Sequence, residues 1–326
     1  MEPHQLDGTG IAMVFPGQGS QFVGMGRGLY EVSAAARAIF EQADQILGIP
    51  LTRLCFEGPE DELEDTLNAQ PAILTVSTAS LEAIRERAHI LSRKITPSMV
   101  AGHSLGEFTA LVAGGSLDFA SALRLVRERG RLMKEAGQEQ PGGMAAVIGL
   151  DDATLAAVCE EAAREGIITV ANANCPGQTV ISGEVQALLR AMELAKERGA
   201  KRVARLGVSI ASHSPLMSRA SAQLGELVAK TPLKAPQIPL VANITGQVLT
   251  TADEVRQELS HQMERPVNWT RSVREMVGGG TRTFVDVGPG QVLSGLIKRI
   301  SRESETLGVG DLDLGLPGAT SKRPNQ

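Results

Sequence analysis

Residues 98–113, SMVAGHSLGEFTALVA, restrict the fold more than any other part of the chain. An apolar run (98–102) leads into Gly102-His103-Ser104-Leu105-Gly106, which fits G-x-S-x-G, and a helix-forming stretch (105–113) follows. A serine between strand and helix sits on a sharp, strained turn. Side chains two residues to either side of it would collide with neighbouring backbone, so glycine is required at 102 and 106. Such a turn lifts the hydroxyl to the carboxyl edge of a sheet, beside a helix N-terminus. There the amide of the next residue, Leu105, can stabilise an oxyanion.

The rest of the chain supplies the sheet that this elbow needs. Apolar runs at 11–15 (IAMVF), 98–102, 238–243 (IPLVAN) and 283–288 (TFVDVG) alternate with long helical patterns such as 71–88 and 117–136. That alternation predicts an α/β fold with a largely parallel sheet. One interval differs: strand 144–149, helix 151–164, strands 167–171 and 178–182, helix 184–198 and strand 201–206. The order is βαββαβ, the ferredoxin-like unit. Gly142-Gly143 and Gly207 mark its junctions. The expected organisation is a discontinuous large domain (10–142 and 208–300) with an inserted small domain (143–207) as one wall of a cleft. The segment 301–326 has no periodicity, is rich in Gly, Ser and Pro, and is expected to be disordered.

An elbow serine needs a base. His4 lies in a polar terminus, His89 ends a charged helix, His261 sits in a polar helix, and His103 neighbours the serine but should point away and pack. His213 follows an apolar run (206–211) and precedes Ser214-Pro215, a helix-start signal. It therefore falls on a loop at a strand end, where catalytic residues tend to sit. No acid to orient it stands out. Asp118 and Asp151-Asp152 are at helix starts, where capping explains them, and Asp286 follows the histidine. A Ser104–His213 dyad is expected, with either a cryptic acid or a backbone carbonyl orienting the ring. The loop FPGQGSQ (15–21) lacks the third glycine of G-x-G-x-x-G and has no GKS or GKT, so it is not a nucleotide loop. Its glycines instead let the Gln18 amide approach a reacting carbonyl and complete an oxyanion hole with the Leu105 amide, in hydrolase-like geometry.

Composition narrows the class. Net charge is −5, with no basic tract interleaved with aromatics, so no nucleic-acid partner is expected. No apolar run reaches membrane-spanning length and the N-terminus has no signal-peptide pattern, so no membrane association is expected. Cys55, Cys159 and Cys175 have no metal spacing, so neither metal nor disulfide is expected; reduced thiols point to the cytoplasm.

The motifs FPGQGSQFVGMG, GHSLGEFTALVAGG, RERGRLM, NANCPGQTVISG, SHSPLM and FVDVGPGQVLSGLIKRI stand in this order between about Ile11 and Ile300. Together they resemble the acyltransferase family of fatty-acid and polyketide synthesis, in particular malonyl-CoA:acyl-carrier-protein transacylases. The resemblance implies Ser104 as acylated nucleophile, His213 as base, and the amides of Gln18 and Leu105 as oxyanion donors. It also implies the backbone carbonyl of Gln262 as the group orienting His213, and Arg129 as the partner of the malonyl carboxylate, whose shape suits a guanidinium fork. The helical pattern alone would leave Arg129 on the surface, no different from Arg124, Arg127 and Arg131.

The implied function is malonyl transfer from malonyl-CoA to the phosphopantetheine thiol of acyl carrier protein by a ping-pong mechanism, without a bound cofactor and as a monomer. Lys201, Arg202, Arg205, Lys298 and Arg299 are candidates for meeting an acidic carrier. The alternatives are a discrete acyltransferase of a polyketide synthase, using malonyl or methylmalonyl groups, and an acyl-thioester hydrolase on the same fold. The hydrolases that clear monocarboxylic groups generally lack the arginine.

Overall fold

The computed structural model describes residues 10–93 and 95–318. Its larger sheet has six strands, β1 (Ile11–Phe15), β2 (Met99–Gly102), β7 (Leu240–Val241), β8 (Val248–Leu249), β9 (Thr283–Asp286) and β10 (Glu305–Gly308). They lie in the order β10-β9-β1-β2-β7-β8, and every neighbouring pair is parallel except β7–β8. β1 is buried along its whole length, as a central parallel strand covered on both faces must be. The helix Thr66–Ile90 is buried on nearly all sides and packs against the helix Phe119–Glu139. Gly130 permits that contact, because a Cβ there would come within 2.6 Å of the Thr66 carbonyl oxygen.

The smaller sheet contains β3 (Gly142–Ile148), β4 (Ile168–Cys175), β5 (Gln178–Glu184) and β6 (Arg202–Arg205) in the order β4-β5-β3-β6, all antiparallel. With the helices Asp152–Ala162 and Val185–Glu197 this is the ferredoxin-like βαββαβ topology expected from the sequence. It has its own core, including Val147, Leu155, Val158, Ile181, Leu188 and Leu194. β4 is fastened to the larger body: Ala173 N donates to Val267 O (2.9 Å) and Val267 N to Ala171 O (2.8 Å). Asp118 and Asp151 cap helices, accepting from Ser121 N and Thr154 N, which accounts for two of the acids set aside above.

The expectation of a disordered segment from residue 301 is corrected for residues 301–318. β10 extends the parallel sheet beyond β9, and Val309, Leu312, Leu314 and Leu316 are buried. Leu314 O accepts from Arg87 Nε at 2.8 Å. A four-residue edge strand is too short to show periodicity, and polar and glycine residues separate the leucines that pack. Residues 319–326 lie outside those described, as does His4.

Candidate active site

Ser104 stands where β2 passes into the helix Gly106–Ala113, with a φ of 51°. A Cβ on Gly102 would lie 1.9 Å from the carbonyl carbon of Gly106, and one on Gly106 would lie 2.0 Å from Phe15 O. Both glycines are therefore sterically required, and Gly106 also lets the β1 exit press against the elbow. Gly102→Ala is expected to lower stability by about 3 kcal/mol, as overpacking against rigid backbone does. Urea denaturation checks this, and an unchanged midpoint would contradict the steric account.

Asn243 clamps the elbow from β7's end, accepting from Ser104 N (2.7 Å) and donating from Nδ2 to Gly102 O (2.7 Å). Ser104 Oγ lies 2.8 Å from His213 Nε2. His213 Nδ1 faces two carbonyl oxygens, Gln262 O at 2.9 Å and Arg265 O at 3.1 Å. Carbonyls only accept, so the proton resides on Nδ1, and Nε2 is left to accept from the serine hydroxyl. Among the described residues no carboxylate bonds the ring; backbone carbonyls occupy the place of a triad acid. His213 is 3% exposed, and burial together with the nearby Arg129 charge lowers its pKa to about 3, against the opposing bond to Gln262 O.

Arg129 is not a surface residue: it is 1% exposed. Its Nη1 donates to Gln70 Oε1 (2.8 Å), and its Nη2 to Gln262 Oε1 (2.9 Å) and Ser104 Oγ (3.1 Å). The guanidinium lies over the Phe108 ring, 5.9 Å from its centroid. Its Nε has no hydrogen-bond partner among the described residues. Burial lowers its pKa to about 10, with Glu107 opposing, so it stays cationic at neutral pH. A buried cation bonded mainly to neutral groups, with a donor unused, is suited to receiving an anion. Arg124 by contrast is exposed, Arg127 bonds Leu67 O and Asn68, and Arg131 pairs with Glu128 and Glu135.

Gln262 follows the helix Ala252–His261 and contributes both its carbonyl and its side chain. The amides of Gln18 and Leu105 have no backbone partner among the described residues. Gly17 packs so closely on the elbow that a Cβ would come 2.4 Å from His103 O. The Gln18 side chain accepts from Thr66 Oγ1 (3.0 Å). His103 points away from the serine, pairing with Asn174 Oδ1 (2.8 Å) and meeting Trp269 edge-on. His89 and His261 are exposed. The three cysteines are free and buried, and burial raises the Cys159 thiol to about 11.

Gln70, Asn243 and Glu107 were not anticipated. Glu107 is 1% exposed and joins the site through Gln262 Nε2 (2.6 Å) and Asn243 N (3.0 Å). Its signal was a lone acid in an otherwise apolar helix, GEFTALVA.

A hydroxyl on a strand–helix elbow, paired with an imidazole and facing a buried cation, defines an α/β protein suited to acyl-group chemistry. The acyl transferase domain model matches residues 12–312, and the chain belongs to that family. It is 44% identical over 302 residues to the malonyl CoA-acyl carrier protein transacylase of Bacillus subtilis (strain 168), covering 92% of this chain and 93% of that one. Against the Escherichia coli (strain K12) protein of the same name it is 44% identical over 292 residues, covering 90% and 93%. The acyl carrier protein S-malonyltransferase of Vibrio cholerae superposes with a TM-score of 0.88 at 40% identity, covering 94% of this chain and 99% of that one. A malonyl-transacylase in complex with a type II PKS acyl-carrier protein gives the same TM-score and identity over 92% and 96%.

Proposed function

We propose that the chain moves the malonyl group of malonyl-CoA to the phosphopantetheine thiol of an acyl carrier protein, through a malonyl ester on Ser104, supplying fatty-acid synthesis. One observation carries this: a single hydroxyl, Ser104 Oγ, is shared by a buried neutral imidazole at 2.8 Å and a buried guanidinium at 3.1 Å. The first is the arrangement of an activated nucleophile. The second places a cation where the far carboxylate of a short dicarboxylic acyl group would lie. The names of the relatives agree with that chemistry.

In the first half-reaction His213 Nε2 takes the hydroxyl proton as Oγ attacks the thioester carbonyl. The oxyanion is met by the amides of Gln18 and Leu105. Its collapse breaks the C–S bond, and the leaving thiolate receives the proton from His213. In the second half-reaction His213 deprotonates the carrier's thiol, which attacks the ester, and the proton returns to Ser104. The Gln262 carbonyl keeps the imidazole in the required tautomer throughout. Arg129 holds the malonyl carboxylate, and its charge partly offsets the cost of burying that anion. The scheme calls for no bound cofactor, and we take the enzyme to be a cytoplasmic monomer with the small sheet as one wall of the cleft. No helix among the described residues is long and apolar enough to cross a membrane.

Labelled malonyl-CoA and holo carrier protein test the proposal. Label should pass to the carrier, whereas release as free malonate would make the chain a hydrolase. A second destination, a carrier of a polyketide synthase, is favoured by the likeness to the malonyl-transacylase solved with such a carrier. Comparing carriers of both kinds decides between them.

The base also fixes a pH dependence. His213 must be neutral to accept a proton, and its pKa is lowered from 6.5 to about 3. The acid limb of kcat/KM is therefore expected below about pH 5 rather than near 6.5. Arg129→Ala removes one depressing cause and should move that limb upward. The same shift leaves stability unaffected above pH 6.5 and erodes it as pH falls from 6.5 toward 3. In that window the unfolded chain binds a proton that the folded one does not. A limb at pH 6.5 in the unmodified enzyme would contradict the assigned environment.

A further inference from the structure

Among the described residues, Glu107 is the one carboxylate bonded into the group of side chains that surrounds Arg129, and it reaches the guanidinium through an amide rather than directly. Gln262 Oε1 accepts from Arg129 Nη2 (2.9 Å), while Gln262 Nε2 donates to Glu107 Oε2 (2.6 Å) and Ser104 O (2.8 Å). Arginine can only donate, and the carboxylate and carbonyl here accept. The carboxamide of Gln262 therefore has one satisfactory orientation. The other Glu107 oxygen accepts from Asn243 N (3.0 Å), and the Asn243 side chain holds the elbow at Ser104 N and Gly102 O. Glu107 thus anchors two arms, one to the elbow and one to the arginine. Arg129, Gln262, Glu107 and Asn243 are each 1% exposed, and they surround the partly exposed Ser104.

The indirect path has a chemical consequence. A carboxylate paired directly with Arg129 would satisfy its fork and compete with an incoming acyl carboxylate. Set one amide away, Glu107 aims the guanidinium through the Gln262 carboxamide while leaving it available. We infer that Glu107 is a positioning residue for acyl-group selection, holding Arg129 toward Ser104 through the Gln262 side chain. This rests on the malonyl-transfer function proposed above and assigns it a further residue. The Gln262 side chain acquires a function separate from that of its backbone carbonyl.

Glu107→Gln tests this with little change of shape. A glutamine there can keep an oxygen for Asn243 N, but it then turns an NH2 group toward the NH2 of Gln262, and two donors cannot bond. The arginine arm is broken and the elbow arm kept. Initial rates of transfer to holo carrier protein are measured for malonyl-CoA and acetyl-CoA. The expected result is a roughly tenfold fall in kcat for malonyl-CoA with KM within about twofold, because the cation remains but its aim is lost. Acetyl transfer should change much less. In an Arg129→Ala background, Glu107→Gln should leave the malonyl/acetyl ratio where Arg129→Ala alone puts it. Equal loss on both acyl groups, or a further change of ratio in that background, would overturn the inference and leave malonyl transfer standing. An unmodified enzyme that transfers no malonyl would overturn both. If Glu107→Gln does not fold, Gln262→Met removes the amide while keeping the backbone carbonyl. It should produce the same fall in the malonyl/acetyl ratio, and an unaltered ratio would overturn the inference.

Discussion

Ser104→Ala is expected to abolish the acyl-enzyme formed from malonyl-CoA and to lower transfer by on the order of 10⁴-fold or more, as loss of a nucleophile does in other serine enzymes. The backbone should tolerate the change. Both residues bear the same cost at a φ of 51°, and the bond from residue 104 N to Asn243 Oδ1 does not involve the hydroxyl. His213 and Arg129 would each lose a partner, but His213 keeps its carbonyl contacts and Arg129 keeps Gln70 and Gln262. Loss of activity should therefore come without a large loss of stability. Persistent labelling in the variant would remove Ser104 as the nucleophile.

The second large effect belongs to Arg129→Ala. Malonyl transfer should fall by about 10²-fold or more, corresponding to loss of a charge-assisted bidentate contact worth about 3 kcal/mol. Acetyl-CoA, which has no carboxylate to pair, should become a relatively better donor, reversing the preference. Part of the change will be structural. Gln70 Oε1 and Gln262 Oε1 lose their donor, and leaving a buried acceptor unpaired costs about 1–3 kcal/mol. The malonyl/acetyl ratio of kcat/KM separates the two, since a purely structural defect lowers both donors together. An unchanged ratio would mean that Arg129 does not read the carboxylate.

The elbow was legible because its physics is local. Two glycines, a strand before and a helix after are all contained within 98–113, and β1 matches its apolar run at 11–15 residue for residue. The ferredoxin-like unit was legible for the same reason: three of its four strands and both of its helices are long enough to show their periods. Arg129 was not read from its helix, although a signal existed. Ala122, Leu125, Val126, Leu132 and Met133 form the buried stripe, and position 129 falls on that stripe with spacings of three and four. An arginine on an apolar stripe points to burial with a purpose.

Gln262, Gln70 and Asn243 had no comparable signal. They lie far from Ser104 in sequence, and the bonds that matter depend on how the helices Thr66–Ile90 and Ala252–His261 and the end of β7 meet around the elbow. Only the family resemblance indicated Gln262, and then only its carbonyl. The missing triad acid has the same explanation. Carbonyl oxygens of residues 262 and 265 orient His213, and backbone groups have no sequence signature.

The most direct test of a malonyl-Ser104 intermediate is intact-protein mass after brief mixing with malonyl-CoA, followed by peptide mapping and then addition of holo carrier protein. The expected result is one malonyl adduct, mapped to Ser104, that persists in buffer and disappears as malonyl-carrier appears. An adduct on another residue, or one lost to water before the carrier is added, would contradict that intermediate.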